Sequence, residues 1–390
     1  MSRPMVDAVV VGGGIVGSAL ALGLHRRGAE VLLLDRAPPA VWREDAPDLR
    51  VYAIAADAQA LLASLGVWAD IHRRRACAYT AMRVSDAGGG GGFHVQSAAM
   101  GVAQLGHIVE DALIAERLQA ALLDAGVRVE RGTTLVDVDE AGDGVVARLA
   151  DGRALPARWL FGADGARSAV REALGIAVDA HDYGASGLVA YLRSERPHGA
   201  TCWQRFLPTG PLALLPCADG RVSIVWSLPG AEAQRLVAVS PTQFEAEITR
   251  ASNRALGALA LDGERRLFPL KRQLAERMHQ GRCALLGDAA HVVHPLAGQG
   301  VNLGLRDVAG LLGAVDASRD RGEWLTRARL ARWARGRMSE NAVAAHAFET
   351  IHRVYSNDAP LPLALRGWAL AAANLPPLKR FLWRTAAGLA

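Results

Sequence analysis

The chain has 390 residues, 51% hydrophobic and 21% charged, with 44 basic against 39 acidic side chains. That length predicts two domains with room for a small third, and the apolar content excludes wholesale disorder and collagen-like repeats. The net charge of +5 is small for this length and 42 of the 44 basic residues are Arg, a composition bias rather than a nucleic-acid footprint, so no nucleic-acid partner is expected.

Val6 to Val11 is a β-branched run; glycines follow, then helical spacing from Ile15 to Arg27, then the apolar run Val31 to Leu34. This order predicts a βαβ unit. The apolar positions Ile108, Leu113, Leu118 and Leu122 predict a second helix between Leu105 and Ala125. Strands are expected at Val127–Glu130, Leu135–Val138, Val145–Leu149 and Trp159–Ala163. From about 183 to 270 the texture becomes alternating strands broken by Pro/Gly turns, as expected of an antiparallel domain inserted in an α/β framework. Cys283–Leu286 reads as a further buried strand, and beyond Gly304 the chain reads as helical and rich in Ala, Arg and Leu.

Gly12-x-Gly14-x-x-Gly17 sits between the first strand and its helix, with Asp35 and Arg36 at the end of the next strand. Gly12 permits the tight turn, Gly14 lets backbone approach a pyrophosphate, and Gly17 lets helix and sheet pack closely. The helix N-terminus supplies N–H groups to phosphates, and Asp35 suits a ribose hydroxyl. Dinucleotide binding follows, without a choice between NAD and FAD. Two later segments bear on that choice. One is Gly162-Ala163-Asp164-Gly165-Ala166-Arg167-Ser168. The other is Gly287-Asp288-Ala289-Ala290-His291, continued by His294-Pro295-Leu296-Ala297-Gly298-Gln299-Gly300-Val301-Asn302 and Gly304-Leu305-Arg306-Asp307.

With these three ordered motifs the chain resembles the FAD-dependent aromatic hydroxylases of the para-hydroxybenzoate hydroxylase type, and within them the ubiquinone-biosynthesis hydroxylases. The likeness covers nearly the whole chain and includes Arg50-Val51-Tyr52-Ala53-Ile54, Leu65-Gly66-Val67-Trp68 and Ser223-Ile224-Val225-Trp226. It implies an α/β fold: a Rossmann-like FAD-binding domain with an inserted, mostly antiparallel β-sheet substrate domain and a helical C-terminus. The expected division is 1–75, 105–180 and 271–320 for the FAD-binding domain, 76–104 and 181–270 for the substrate domain, and 321–390 for the helical end. It also implies tightly bound FAD and transient NADPH or NADH.

In this likeness Asp288 holds the ribityl chain, Arg50 and Asp164 contact cofactor, and Arg167 joins Asp164 where NADPH is admitted. Gly287, Pro295, Gly298, Gln299, Gly300, Val301 and Asn302 border the flavin, with the backbone at 300–302 facing the ring. A helix N-terminus there would stabilise negative charge on reduced flavin. The implied reaction is hydroxylation by O₂ of the ring of a polyprenylated phenol, with other ubiquinone-biosynthesis proteins as partners. A prenyl reductase or halogenase on the same fold, or a non-catalytic flavoprotein scaffold, are the alternatives. Two departures stand out: position 55 is Ala where Ser or Asn is usual, and Asp111 stands where Asn is usual. No side chain presents itself as a general base.

His291 and His294 are three residues apart, but no carboxylate or Cys partner lies nearby in a ligand pattern, so no metal is expected. Four scattered cysteines and a glycine-rich first apolar segment, unlike a secretory signal, point to a reducing cytoplasm. Residues 359–390 contain no acid but carry Arg366, Lys379, Arg380 and Arg384 among Leu, Phe and Trp, leaving only +1 for the rest of the chain. That tail reads either as a peripheral membrane element or as helices docked on the core, and Pro376-Pro377, as a helix breaker, favours the second.

Overall fold

The computed structural model describes residues 5–88, 92–293, 300–319, 324–355 and 373–389. Pro295, Gly298 and Gln299, together with His294, lie outside the described residues, as does Arg366 in the tail.

The N-terminal pattern forms the expected unit: strand Val6–Val11, helix Ile15–His25, strand Val31–Asp35. Both strands are buried nearly throughout because each lies inside a parallel sheet with helices packed on it. The parallel order is Cys283–Leu285, Ala154–Gly162, Val6–Val11, Val31–Asp35, Arg128–Arg131, with an antiparallel extension through Gly144–Leu149 and Leu135–Ala141. Its core includes Val9, Leu20, Leu33, Trp159, Phe161, Leu285 and Val308, all 2% exposed or less.

The helix predicted from Leu105 is shorter than expected. Gly106–Glu110 is a fully buried strand, and the helix runs Asp111–Asp124. Ile108 therefore belongs to the strand, which sits between Val51–Ile54 and Cys77–Tyr79 in a three-stranded sheet. Ile108 stands five residues before Leu113, the first buried residue of the helix, an interval longer than the three or four of a helical face.

The second large sheet has eight strands in the order His291–Val292, Leu259–Ala275, Val178–Ser194, Val222–Pro229, Gly210–Pro216, Thr201–Leu207, Ala81–Asp86, Gly92–Gln96. Its pairs are antiparallel except Thr201–Leu207 with Ala81–Asp86. One face carries Leu188, Leu212, Ile224 and Trp226 against Phe244 and Ile248 of the helix Pro241–Ala251. The other turns Met82, Cys202, Ala213, Leu215 and Val225 toward Ala53, Cys77 and Ile108 of the three-stranded sheet. That alternation, with period two along each strand, lets one sheet serve both a helical layer and the body of the protein. All four cysteines are buried free thiols.

The C-terminal half of the chain adds Gly300–Arg319, Arg327–Tyr355 and Pro376–Ala386. Pro376 and Pro377 occupy the first positions of this last helix, where a missing N–H costs nothing.

Candidate cofactor site

The three motifs end on neighbouring strands of the parallel sheet. Val11 pairs with Gly162, and Gly162 with Leu285, so the turns at Gly12, Ala163 and Leu286 share one edge. Three backbone bonds continue the ladder beyond the strands: Gly12 N to Leu34 O at 2.8 Å, Ala163 N to Val11 O at 2.8 Å, and Leu286 N to Gly162 O at 2.9 Å. The carboxyl ends of parallel strands are where open α/β sheets hold ligands.

A cavity of about 270 Å³ opens there, lined by Gly12, Gly13, Gly14, Asp35, Arg36, Thr133, Asp164 and Arg167 among others. The three fingerprint glycines differ in what they face. Gly12 has φ +105°, and a Cβ on it would meet the Ala163 carbonyl oxygen at 2.3 Å. One on Gly17 would meet the Gly12 carbonyl oxygen at 1.9 Å. A Cβ on Gly14 would meet no protein atom within 4 Å. The first two are demanded by the fold; the bareness of Gly14 leaves space open beside the N-terminus of helix Ile15–His25, as a phosphate-bearing ligand requires. Two buried side chains that the motif does not include fix this turn: Ser18 Oγ and Gln119 Nε2 both donate to the Gly13 carbonyl, at 3.0 and 2.6 Å.

Asp35 accepts from Ala37 N at 3.1 Å and lies 3.5 Å from Arg131 Nη1, with its carboxylate at the cavity wall. Asp164 forms no ion pair with Arg167; it accepts from Ser168 Oγ and from Val170 N at 3.2 Å, holding the start of helix Ala169–Ala173. Arg167 is exposed on the cavity rim.

A second group of predicted residues meets at a deeper cleft. Asp288 is exposed to solvent, yet protein encloses it closely enough that burial raises its pKa, against the nearby charges of His291 and Arg50. That combination describes a side chain on the floor of a cleft. Among the described residues no group hydrogen-bonds its carboxylate, which leaves it available to a sugar-alcohol hydroxyl. Arg50 Nη2 contacts Asp111 Oδ2 at 2.6 Å and Asp48 at 3.8 Å. Burial works against the Arg50 charge, but Asp111, Asp48 and Asp288 together raise its pKa. Asp111 is pushed upward by burial and by Asp48 and Asp288, opposed by Arg50 and by a hydrogen bond with the Tyr52 hydroxyl. The Asp at position 111 is thus part of a charged cleft wall, not only a first-turn residue of its helix.

The segment leading to Arg50 is anchored by Glu110, which accepts from Trp42 Nε1 at 2.9 Å, Asp48 N at 3.1 Å and Arg75 Nη1 at 3.3 Å. Tyr191 of the large sheet donates to the Asp48 carbonyl at 2.7 Å.

Gly300, Val301 and Asn302 open the helix Gly300–Arg319. Among the described residues, a Cβ on Gly300 would meet nothing within 4 Å. Asn302 is different: it is fully buried and its side chain bonds Ala53 O at 2.8 Å and Ala55 N at 3.0 Å. Gly304 is a packing glycine inside the helix. A Cβ there would come within 2.6 Å of Val16 and 3.3 Å of the Gly287 Cα. Gly287 itself has φ +57°, a left-handed turn that glycine adopts without strain. His291 is 3% exposed and bonds Asp307 at 2.6 Å.

An open glycine turn, the Asp35 carboxylate and the unbonded Asp288 carboxylate, gathered at the carboxyl ends of the parallel strands, fit a molecule with the shape of FAD. The fold and cleft define a flavin-dependent enzyme of the hydroxylase class. A model of the FAD binding domain family matches residues 5–318. The chain is 35% identical over 405 aligned residues to the 3-demethoxyubiquinol 3-hydroxylase of Escherichia coli, with all of both chains covered. It is 36% identical over 394 residues to the ubiquinone hydroxylase UbiL of Rhodospirillum rubrum, covering 98% of this chain and 90% of that one. In structure it is similar to the p-nitrophenol 4-monooxygenase of Pseudomonas putida, with a TM-score of 0.81 at 20% identity over 100% and 99% of the two chains. The chain belongs to the FAD-binding family and, within it, to the ubiquinone-biosynthesis hydroxylases.

Proposed function

We propose that this chain is an FAD-dependent monooxygenase that hydroxylates the aromatic ring of a polyprenylated phenol in ubiquinone biosynthesis, using NAD(P)H and O₂. The observation that carries this reading is the convergence of Gly14, Asp35 and Asp288 on one sheet edge, in a chain whose full length is akin to ubiquinone hydroxylases. FAD, once reduced by NAD(P)H, supplies the activation of O₂ and the oxygen transfer. The protein's own part is positional and electrostatic. Gly12, Gly14, Gly17, Asp35, Arg36 and Asp164 would hold the adenosine diphosphate portion, with Arg167 beside them. Arg50, Gly287 and Asp288 would hold the ribityl portion, and Gly300 to Asn302, with Pro295, Gly298 and Gln299, the flavin ring. The start of helix Gly300–Arg319 suits negative charge on the reduced ring.

The large sheet would supply the substrate side. Its face toward the three-stranded sheet is apolar at Met82, Ala213, Leu215 and Val225, which suits a prenylated ring and excludes water from it.

Purified protein is expected to be yellow, and a prenylated phenol should stimulate its NAD(P)H oxidation. Under ¹⁸O₂ one labelled oxygen should enter the product; turnover without label would overturn the hydroxylase reading.

The C-terminal helix supports a second contact, with an anionic membrane surface. Helix Pro376–Ala386 has no buried residue, and Leu375, Leu378, Phe381 and Leu382 are exposed at spacings that put them on one face. Arg380 and Arg384 flank them. Among the described residues no helix is long and apolar enough to cross a membrane. An exposed apolar stripe edged by cations suits the interfacial region instead. Salt-sensitive binding to vesicles containing phosphatidylglycerol should be lost in Phe381→Glu; unchanged binding would make the helix structural only.

A further inference from the structure

Asp307 is fully buried and belongs to no motif with an assigned role, yet four groups converge on its carboxylate. Gly287 N donates to Oδ2 at 2.9 Å and His291 Nε2 bonds the same oxygen at 2.6 Å. Arg337 Nε donates to Oδ1 at 2.8 Å, joined by Asn341 Nδ2 at 3.3 Å. Two of these partners, Gly287 and His291, flank Asp288 at one residue's distance and three. The other two come from the helix Arg327–Tyr355.

We propose that Arg337 is a positioning residue for the cofactor cleft, acting through Asp307 to set the Gly287 amide and the His291 ring and so to aim Asp288. This deepens the flavin reading and rests on it.

The physical argument starts from burial. A carboxylate at 0% exposure is tolerated only if it is paired and hydrogen-bonded. Burial opposes ionisation of Asp307, and His291 and Arg337 nonetheless hold its pKa below the ordinary value. Arg337 is 7% exposed, and its Nη2 is fixed by Asn341 Oδ1 at 2.9 Å, so the guanidinium has one geometry to offer. An ionised Asp307 can accept from the Gly287 amide, which holds the left-handed turn at Gly287 just before Asp288. It also takes Nε2 of His291, leaving Nδ1 buried with no hydrogen-bond partner among the described residues. Because His291 pairs with Leu274 at the edge of the large sheet, the same ring joins that sheet to the Asp288 turn. Losing the Arg337 cation removes one of the two charges that compensate the buried carboxylate, and the groups it holds must rearrange or take up a proton.

The test separates positioning from bulk stability. FAD is titrated into wild-type apoprotein and into Arg337→Met, Arg337→Lys and Leu330→Ala, with melting of each apoprotein measured alongside. Leu330 is a fully buried residue of the same helix that makes no bond to Asp307, so Leu330→Ala lowers stability by a different route. Arg337→Met should weaken FAD binding at least tenfold, about 1.4 kcal/mol, and change the visible circular dichroism of bound flavin. Arg337→Lys, which keeps a cation, should recover most of that affinity. Leu330→Ala should lose less than about threefold even where its melting temperature falls as far. Equal weakening in Arg337→Met and Leu330→Ala, or unchanged affinity in Arg337→Met, overturns the proposal while leaving the flavin reading intact. A wild-type apoprotein that takes up no FAD removes both.

Discussion

Asn302 and Ala55 are 247 residues apart in sequence, and the Ala55 amide donates to Asn302 Oδ1 at 3.0 Å. The same side chain donates back to Ala53 O at 2.8 Å. One buried amide therefore ties the start of the helix Gly300–Arg319 to the strand that follows Arg50, and the two walls of the cleft move together. Position 55 needs only a backbone N–H for this bond, so Ala serves there as well as a polar residue.

Asn302→Leu should consequently do more than alter the flavin border. It strands a buried donor and a buried acceptor, each worth about 1–3 kcal/mol. A loss of about 2–4 kcal/mol in urea unfolding of the apoprotein is expected, with weaker FAD binding because the Arg50 strand loses its tie. Wild-type stability in this variant would contradict the bonding described.

The fingerprint glycines should separate by mechanism. Gly17→Ala places a methyl 1.9 Å from a backbone oxygen and should destabilise the apoprotein by more than about 2 kcal/mol, reducing soluble yield. Gly14→Ala meets open space at an ordinary φ of −72°, so the apoprotein should melt within a degree or two of wild type. Its FAD affinity should fall at least tenfold, because the methyl points where the ligand would lie. Comparing melting and FAD titration for the pair gives the result directly.

Asp288 should show opposed effects on stability and binding. Its pKa is raised by burial, so between the ordinary carboxylate pKa and the raised one the folded state holds more protons than the unfolded. Stability contributed by this group therefore falls as pH rises through that window and stays reduced above it. Asp288→Asn removes the charge and should make the apoprotein more stable at pH 7 while weakening FAD binding severely. Apoprotein melting at pH 5 and 7, with and without the substitution, checks the sign.

His107 should contribute to acid unfolding. It is 2% exposed, with its ring packed edge-on against Trp68 at 4.9 Å and its pKa lowered to about 4, first by burial and then by His72. The unfolded state takes up a proton near pH 6.5, so stability is intact above that value and falls as pH drops toward 4. Over that window the loss is on the order of 3 kcal/mol. His107→Gln should flatten the fall, seen as a smaller change in urea midpoint between pH 7 and 4.5.

The reason these sites could be read unevenly lies in the range of the interactions. The turn at Gly12, the acid at Asp35 and the Gly287-Asp288 pair are local: strand, glycine and acid stand within a few residues, and backbone geometry demands them. Gln119, Glu110, Asp307 and Arg337 carry no such local mark. Asp307 closes the run Gly304 to Asp307 but looks like any helical acid, and Arg337 with Asn341 has the spacing of any helix face. The start of the strand at Gly106 and the packing of Gly304 against Val16 also depend on partners far along the chain.

By itself the sequence determined the class of fold, the cofactor and the turns that gather at one sheet edge, because nucleotide-binding turns are short and their chemistry is written in consecutive residues. The tertiary structure decided how those turns are held. Burial turned Asp307 from a helical acid into a junction and made the Asn302 side chain a clamp on the strand after Arg50, while apolar side chains of the last helix stay exposed. Each of these depends on which surfaces lose water, and that is settled only when distant segments pack together.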